Sequence, residues 1–399
     1  MITKVFTDKD DLAPAAEIVK KGGFCAVPTE TVYGLCVNGL DAGAVAALYE
    51  LKGRPEVKPL SLMVPGADAM EMYAREIPPQ AYTLAAKFWP GPLTIVLKAR
   101  DNIPAITLAG GSTVGLRCPD HPMTLALLRQ AGIPLAGPSA NPSGKPSPKT
   151  ASEVLGYFDG QIDALLDGGA CGIGKESTIL DLTVTPYRVL RQGALAEDAI
   201  DDALITGMKV IGLTGGSGSG KTTAMRYLVE RGALGIDCDE VYHDLLRECA
   251  PLLAEIKARF PAAFPGGSFD RKALGRIVFA DSAALLDLNA ITHRYVYDAV
   301  MQRLRACARA GGTLAAIDAV ELIQGGLGEL CTLTVGVVAD RKVRASRIMA
   351  REGISEEYAL SRIDAQKSDE YYEQHCDCVI RNDGDRDELK ARCRELFGI

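Results

Sequence analysis

Short apolar runs alternate with longer amphipathic stretches along the whole chain, the signature of strands and helices in an α/β protein. In the first half, DLAPAAEIVKKGG has helical periodicity and stops at glycines, and FCAVPTE then predicts a strand ending in a turn. AGAVAALYELKGRP predicts a second helix, broken at Gly53 and Pro55. PLSLMV, LTIVLK and VGLRC predict strands, with the proline-rich corner FWPGPLT between two of them. LLDGG closes a further element ahead of STILDLT, and RVLRQG predicts a last strand. Residues 194–207 (ALAEDAIDDALITG) are acidic and alanine-rich, and predict a short helix or connector rather than a core element. A boundary at about 205 follows, dividing the chain into residues 1–205 and 206–399. From KVIGLTG onward the strand–helix alternation is regular to the end.

The length of 399 residues favours the same division into two domains. Apolar residues make up 47% and charged residues 24%, an ordinary globular composition. Ahead of Met208 there are 18 Lys+Arg against 23 Asp+Glu, and from Met208 on 26 against 28. Neither half is basic, which argues against bulk binding of nucleic acid and leaves room only for local basic pockets. Eleven cysteines without a CxxC fit free thiols in a reducing cytosol. Cys376 and Cys378 beside His375 have two readings: neighbours on one face of a strand, or metal ligands. The N-terminal MITKVFTDKDDL is unlike a signal peptide, and no apolar run approaches membrane-spanning length. A cytoplasmic protein with no membrane contact is expected.

Gly215-Gly216-Ser217-Gly218-Ser219-Gly220-Lys221-Thr222 fits GxxxxGK[ST], between the strand KVIGLT and the helix TAMRYLVERG. Glycines let backbone N–H groups curl around phosphates, and the helix N-terminus adds positive potential. Lys221 would reach the β/γ-phosphates and the Thr222 hydroxyl would ligate Mg²⁺, with Thr223 following at the same nucleotide site. A plain Gly/Ser-rich turn would not also supply strand, lysine, hydroxyl and helix in register. Next, LGIDCDEVYHDLL delivers Asp237 and Asp239 at a strand end. One could take the proton of an attacking hydroxyl while the other orders Mg²⁺ water; equally, both could cap the helix EVYHDLL. RKVRASRIMAREGISEEYALSRIDAQ predicts a helical hairpin carrying Arg341, Arg344, Arg347 and Arg351, with Arg347 and Arg351 on one face. It is either a lid over transferring phosphates or a solvated arginine face.

Taken together these residues resemble the dephospho-coenzyme A kinase family over roughly 209–399. The match rests on IGLTGGSGSGKTT, DCDEVYHDLL, FDRKALGRIVFADSAALLDLNAITHRYV, SEEYALSRIDAQ and CDCVIRNDGDRDEL. The resemblance implies a P-loop NTPase with a doubly wound parallel sheet and a helical lid. The implied reaction is ATP-dependent phosphorylation of the ribose 3′-hydroxyl of dephospho-CoA, the last step to CoA. It makes Asp239 the general base, sets Lys221, Thr222 and Arg347 on the phosphates, and puts Asn382 near the adenine. Mg²⁺ enters with ATP, and no tightly bound organic cofactor is implied. The chain departs from the family at Cys238, His243, Arg294 and Gln324.

The first half has no such loop. Its polar groups cluster at turns: PTETVYGL, LKGRPEVKPL, GLRCPDHP, GPSANPSGKPS, and KESTILD with RQG. Lys52, Arg54 and Lys58 concentrate positive charge in one loop, suited to a triphosphate. Taken singly, each segment also reads as a plain turn. As a set they resemble the YrdC/Sua5 family of L-threonylcarbamoyladenylate synthases over about 8–195, with a KxR element at Lys52 and Arg54 and an SxN element at Ser139 and Asn141. The resemblance implies a twisted mixed sheet around a deep, positive cavity. The implied chemistry joins L-threonine, bicarbonate and ATP into threonylcarbamoyl-AMP and pyrophosphate. By family position Lys52, Arg54, Ser139, Asn141, Ser177 and Arg191 hold ATP, and Thr31, Tyr33 and Arg117 line the threonine pocket. Separate transfer proteins would carry the product to tRNA adenosine, with no bulk tRNA binding here. The alternative is a non-catalytic RNA-binding or structural module attached to an active kinase.

Overall fold

The computed structural model describes residues 2–399, which divide into two units. One runs to Gly207 and includes Arg309–Gly311; the other comprises Met208–Ala308 and Gly312–Ile399.

The first unit is built on eleven strands: β1 (Lys4–Phe6), β2 (Cys25–Val27), β3 (Gly34–Asn38), β4 (Ser61–Met63), β5 (Ala74–Arg75), β6 (Leu93–Ala99), β7 (Thr113–Arg117), β8 (Leu135–Ala136), β9 (Ala164–Leu166), β10 (Thr178–Asp181) and β11 (Arg188–Arg191). They form one mixed sheet in the order β1-β9-β2-β3-β8-β4-β7-β6-β10-β11, with β5 added against β6. Strands β2 and β9, inside the β1 edge, are buried at every position, so CAV and ALL are continuous apolar runs rather than alternating ones. Helices Ala13–Lys20 and Pro122–Ala131 complete that core through Val19, Leu127 and Leu128 against Cys25 and Leu166. The second helix, Ala42–Lys52, begins where Asp41 accepts from the N–H groups of Gly43 and Ala44. It ends at Gly53 with φ 57°, which sets Lys52 on the last helical turn and Arg54 just beyond it.

Residues 194–207 contain the short helix expected there, but it is part of a core, contrary to expectation. Glu197–Thr206 is a helix whose Ile200, Ala203 and Leu204, at i, i+3 and i+4, are buried against helix Pro79–Phe88. The acidic composition hid this apolar stripe.

The second unit has five strands, β12 (Lys209–Thr214), β13 (Leu234–Asp237), β14 (Leu314–Asp318), β15 (Leu333–Val338) and β16 (Cys378–Arg381). All pairs are parallel, in the order β13-β14-β12-β15-β16. Helices Lys221–Val229 and Arg386–Phe397 cover one side through Ala224, Leu228, Leu389 and Phe397. Helices Cys238–Glu248, Ala250–Arg259, Arg271–Ala280 and Ser282–Arg309 build a separate apolar cluster around Leu252, Ile256, Leu274 and Leu288. Ligand sites in such sheets lie beyond the carboxyl ends of the strands, here the ends of β12, β13 and β14.

The pair Cys376 and Cys378 does not share a strand face. Cys378 opens β16, whereas Cys376 ends helix Asp369–His375, because Asp377 between them turns to accept from the N–H and hydroxyl of Thr334, each at 2.7 Å. Among the described residues no three His, Cys, Asp or Glu side chains converge as metal ligands, and no helix is long and apolar enough to cross a membrane.

Replacing Ile200 by alanine should cost about 2–4 kcal/mol in chemical unfolding of the first unit. The exposed Asp198→Ala should change it by no more than about 0.5 kcal/mol, as expected for a surface position.

Candidate active sites

In the first unit a cavity of about 150 Å³ opens between the loops that follow β2 and β8, the segments that precede β4 and β10, and residues of β6, β7 and β11. Thr31, Arg54, Arg117, Ser139, Ser177 and Arg191 line it. Each is held from the main chain or from a neighbouring hydroxyl. Arg191 donates to the Ser177 carbonyl at 2.8 Å and to its hydroxyl at 3.1 Å, and that hydroxyl meets Thr94 Oγ1 at 2.9 Å. Arg54 donates to the Pro59 carbonyl at 3.2 Å. Arg117 donates to Thr31 Oγ1 at 2.8 Å and forms a buried ion pair with Glu30 at 2.7 Å. Three guanidinium groups thus surround one small space. Its nearest carboxylates are Glu30, committed to Arg117, and Glu176, held low in pKa first by the Ser147 hydroxyl.

The three other residues expected at this site lie behind its walls. Lys52 is 4% exposed; its amine donates to the Ser139 carbonyl at 2.5 Å and to the Asn141 carbonyl. It therefore staples the SxN loop to the helix end. Burial first, and Arg54 second, pull its pKa down to about 7. Asn141 turns its amide nitrogen to the Lys145 carbonyl at 2.6 Å, and its buried Oδ1 has no partner among the described residues. The Tyr33 hydroxyl donates to the Gly169 carbonyl at 2.7 Å and accepts from the Gly168 N–H, so it braces a loop instead of facing the cavity. Thr29, Ser61, Thr94 and Glu176 also line the space. They lie in or beside segments already conspicuous in the sequence, but no local rule separates them from ordinary turn residues.

In the second unit β12 runs into the loop 215–222. Its backbone is left-handed at Gly215, Gly218 and Gly220 (φ 142°, 76° and 110°), which only glycine adopts readily. The Lys221 amine folds back to the Gly215 carbonyl at 2.8 Å, and burial lowers its pKa despite Asp318 and Asp239 nearby. Thr222 is exposed on the first turn of the following helix, and Thr223 is bound into that turn through its N–H to Gly220. Asp318 ends β14 directly beside Asp237 at the end of β13. Burial, with Asp237 and Asp239 adding repulsion, pushes its pKa up to about 6. Asp318 went unnoticed in the sequence because LAAID carries no motif; only the strand order brings it to the loop.

The two acids of the DCD motif part company. Asp237 caps helix Cys238–Glu248, accepting from the Asp239 N–H at 2.9 Å and from Glu240 at 3.2 Å. Asp239 instead lines a cavity of about 890 Å³ enclosed by the helical arm. That cavity has an apolar wall of Leu274, Val278, Leu288 and Val296, and a cationic stretch of Arg271, Lys272 and Arg276. His293 lies on its edge, 3.0 Å from Glu321, whereas Arg294 points outward to Glu255.

The arginine hairpin comprises helices Arg341–Glu352 and Glu356–Asp364, joined at Gly353 with φ 68° and restarted by Ser355. Its arginines divide differently from the expected 347/351 face. Arg347 reaches the loop, donating to the Gly218 carbonyl at 3.3 Å, to the Asn382 carbonyl at 2.9 Å and to Gly384 at 2.8 Å. Arg351 is exposed beside Glu352, and Arg341 pairs with Asp364. Arg344, one turn before, is the second arginine turned inward, bonded to the Ser217 carbonyl and to Gln366. Asn382 donates to the Ser219 carbonyl at 2.6 Å. The carbonyls of Ser217, Gly218 and Ser219 are therefore each held by a side chain.

Two families match the chain. The Sua5/YciO/YrdC family, described by the phrase telomere recombination, matches residues 17–193, and the dephospho-CoA kinase family matches residues 209–388. A threonylcarbamoyl-AMP synthase of Pyrococcus abyssi is 44% identical over 190 residues, 48% of this chain and 56% of that protein. The chain thus spans little more than half of that relative. A dephospho-CoA kinase of Thermobifida fusca is 38% identical over 192 residues, 48% of this chain and 95% of that protein. The crystal structure of P. abyssi Sua5 complexed with L-threonine aligns with a TM-score of 0.50 and 27% identity, over 85% of this chain and all of that one.

Two pH effects follow from the geometry. Lys52 binds fewer protons folded than unfolded between its lowered value near 7 and its ordinary value, so its contribution to stability is present at high pH and lost as pH falls toward 7. Denaturant titrations of Lys52→Met should show that slope reduced, by up to about 1.4 kcal/mol per pH unit. The raised pKa of Asp318 acts oppositely: its ionisation opposes folding above pH about 6. Asp318→Asn should therefore raise the unfolding midpoint of the second unit at pH 7.5.

Proposed function

We propose, for a chain that belongs to the dephospho-CoA kinase family through residues 209–388 and matches the Sua5/YrdC family over residues 17–193, that it is a bifunctional enzyme with two independent ATP-using sites.

In the second unit the 3′-hydroxyl of dephospho-CoA attacks the γ-phosphorus of ATP. Its proton passes to the Asp239 carboxylate, the bond to the β–γ bridging oxygen breaks, and ADP leaves with that electron pair. The supporting observation is the placement of Asp239 on a cavity large enough for a nucleotide-linked acceptor, beside the phosphate loop. The cationic stretch Arg271–Lys272 and Arg276 suits the acceptor's diphosphate, and the apolar wall suits its pantetheine arm. Lys221, Thr222 and Arg347 serve the ATP phosphates, and Asn382 borders the nucleotide through Ser219. Mg²⁺ fits this donor set: the Thr222 hydroxyl, phosphate oxygens and the crowded carboxylate of Asp318 are hard oxygen ligands, and Mg²⁺ needs few of them from protein. When bound it would neutralise charge on the phosphates; Asp318 would orient its water.

In the first unit the amine of L-threonine and bicarbonate give an N-carboxylate with loss of water. That carboxylate attacks the α-phosphorus of ATP, forming threonylcarbamoyl-AMP and releasing pyrophosphate. The three guanidinium groups of Arg54, Arg117 and Arg191 around one cavity support an anionic, carboxylate-bearing pair of substrates. Lys52 and Asn141 shape the loop that presents Ser139, and Thr29 and Thr31 orient Arg117. The protein's part is positioning and charge neutralisation. Separate transfer proteins would pass the product to tRNA, and the eleven free cysteines suit a reducing cytoplasm.

Pyrophosphate release should require both L-threonine and bicarbonate, and should survive Lys221→Ala. Phosphorylation of dephospho-CoA should fall at least about 100-fold in Lys221→Ala, the loss of a buried charge-assisted phosphate contact, and should survive a Lys52→Ala/Arg54→Ala double substitution. One substitution abolishing both activities in a folded chain would overturn the two-site reading.

A further inference from the structure

Arg344 carries a charge that the protein leaves uncompensated. It is 5% exposed, and its hydrogen bonds go to neutral oxygens: Nε to the Ser217 carbonyl at 3.0 Å and Nη2 to Gln366 Oε1 at 2.6 Å. Arg341 and Arg351 on the same helix differ, pairing with Asp364 and Glu352, whereas no carboxylate among the described residues pairs with Arg344 or with Arg347. Burial accordingly pulls its pKa down, with Asp369, Tyr372 and Asp364 opposing only at a distance. A buried guanidinium held by carbonyls alone is stable where an anion completes it.

The surroundings identify that anion. Gln366 clasps Ser217 from both sides, accepting from its N–H at 2.9 Å and donating to its hydroxyl at 3.0 Å. A methyl group on Gly216 would stand 2.0 Å from Arg344 Nη2, so the guanidinium packs directly on the loop at this glycine and would have to shift for any larger residue. The helix N-terminus at Gly220–Thr222 and Lys221 approach the β- and γ-phosphates from one limb of the loop. Ser217 lies on the other limb, held there by Arg344 and Gln366.

We propose that Arg344 is a positioning residue for the terminal phosphate: through Ser217 and Gln366 it locks the outer limb of the phosphate loop, and its charge makes that limb favour a triphosphate over a diphosphate. This rests on the reading of the second unit as an ATP-dependent kinase. It adds to the lid a second inward arginine beside Arg347, which is held by the Gly218, Asn382 and Gly384 carbonyls.

The test is calorimetric titration of the full chain with a non-hydrolysable ATP analogue and with ADP, taking the binding lost in Lys221→Ala as that of the second unit. Arg344→Met should weaken the triphosphate by about ten-fold or more and ADP by less than about two-fold, the size expected of one charge-assisted contact. Arg344→Lys, which keeps the charge without the fork, should recover part of the triphosphate affinity. Equal losses for both nucleotides, or no loss, would overturn the proposal while leaving the kinase reading intact. If Arg344→Met does not fold, Arg344→Lys decides: a triphosphate-selective loss of about three-fold is expected, and an unselective one overturns the proposal. A wild-type chain without any Lys221-dependent nucleotide binding would overturn the kinase reading and the proposal together.

Discussion

Both sites depend on burying cations against backbone carbonyls instead of carboxylates. Lys52 rests on the Ser139 and Asn141 carbonyls, Arg191 on Ser177, Lys221 on Gly215, and Arg344 and Arg347 on Ser217 and Gly218. A carbonyl fixes a cation in place without cancelling its charge. Each such hydrogen bond returns about 1.5–3 kcal/mol, less than the cost of removing a charge from water. The depressed pKa values of Lys52, Lys221 and Arg344 record the shortfall. On the proposed function, an arriving phosphate would offset it at Lys221 and Arg344, so pre-organisation and affinity would come from the same contacts. Arg117 is the exception, because Glu30 neutralises it and leaves it to orient rather than attract.

The backbone makes this possible. Left-handed glycines at 215, 218 and 220 let the loop turn so that the carbonyls of Ser217 and Gly218 meet arginines of the hairpin. Parallel strand order then sets Asp318 beside Asp237, next to Lys221. In the first unit, Gly53 ends a helix at the point where Lys52 can reach the SxN loop.

Much of this was legible in the sequence, for unequal reasons. The phosphate loop was readable because strand, glycines, lysine and helix are contiguous, and the hairpin because Gly353 and Ser355 punctuate it. The KxR and SxN segments were readable only as a set. What stayed hidden depends on long-range packing. Asp318 lies in a featureless strand, and Gln366 meets Ser217 across 149 residues of sequence. Helical spacing put Arg347 with Arg351, but the side chain facing the loop together with Arg347 is Arg344, three residues earlier. Lys52, Asn141 and Tyr33 belong to the right loops yet brace them from behind, a distinction no motif carries.

The central claim is that one chain holds two separate nucleotide sites, each completed by phosphate. Native mass spectrometry of the full chain with Mg²⁺ and a non-hydrolysable ATP analogue measures this directly. Two nucleotides per chain are expected, falling to one in Lys221→Ala. A single nucleotide per chain at saturation, or loss of both in Lys221→Ala, would contradict it.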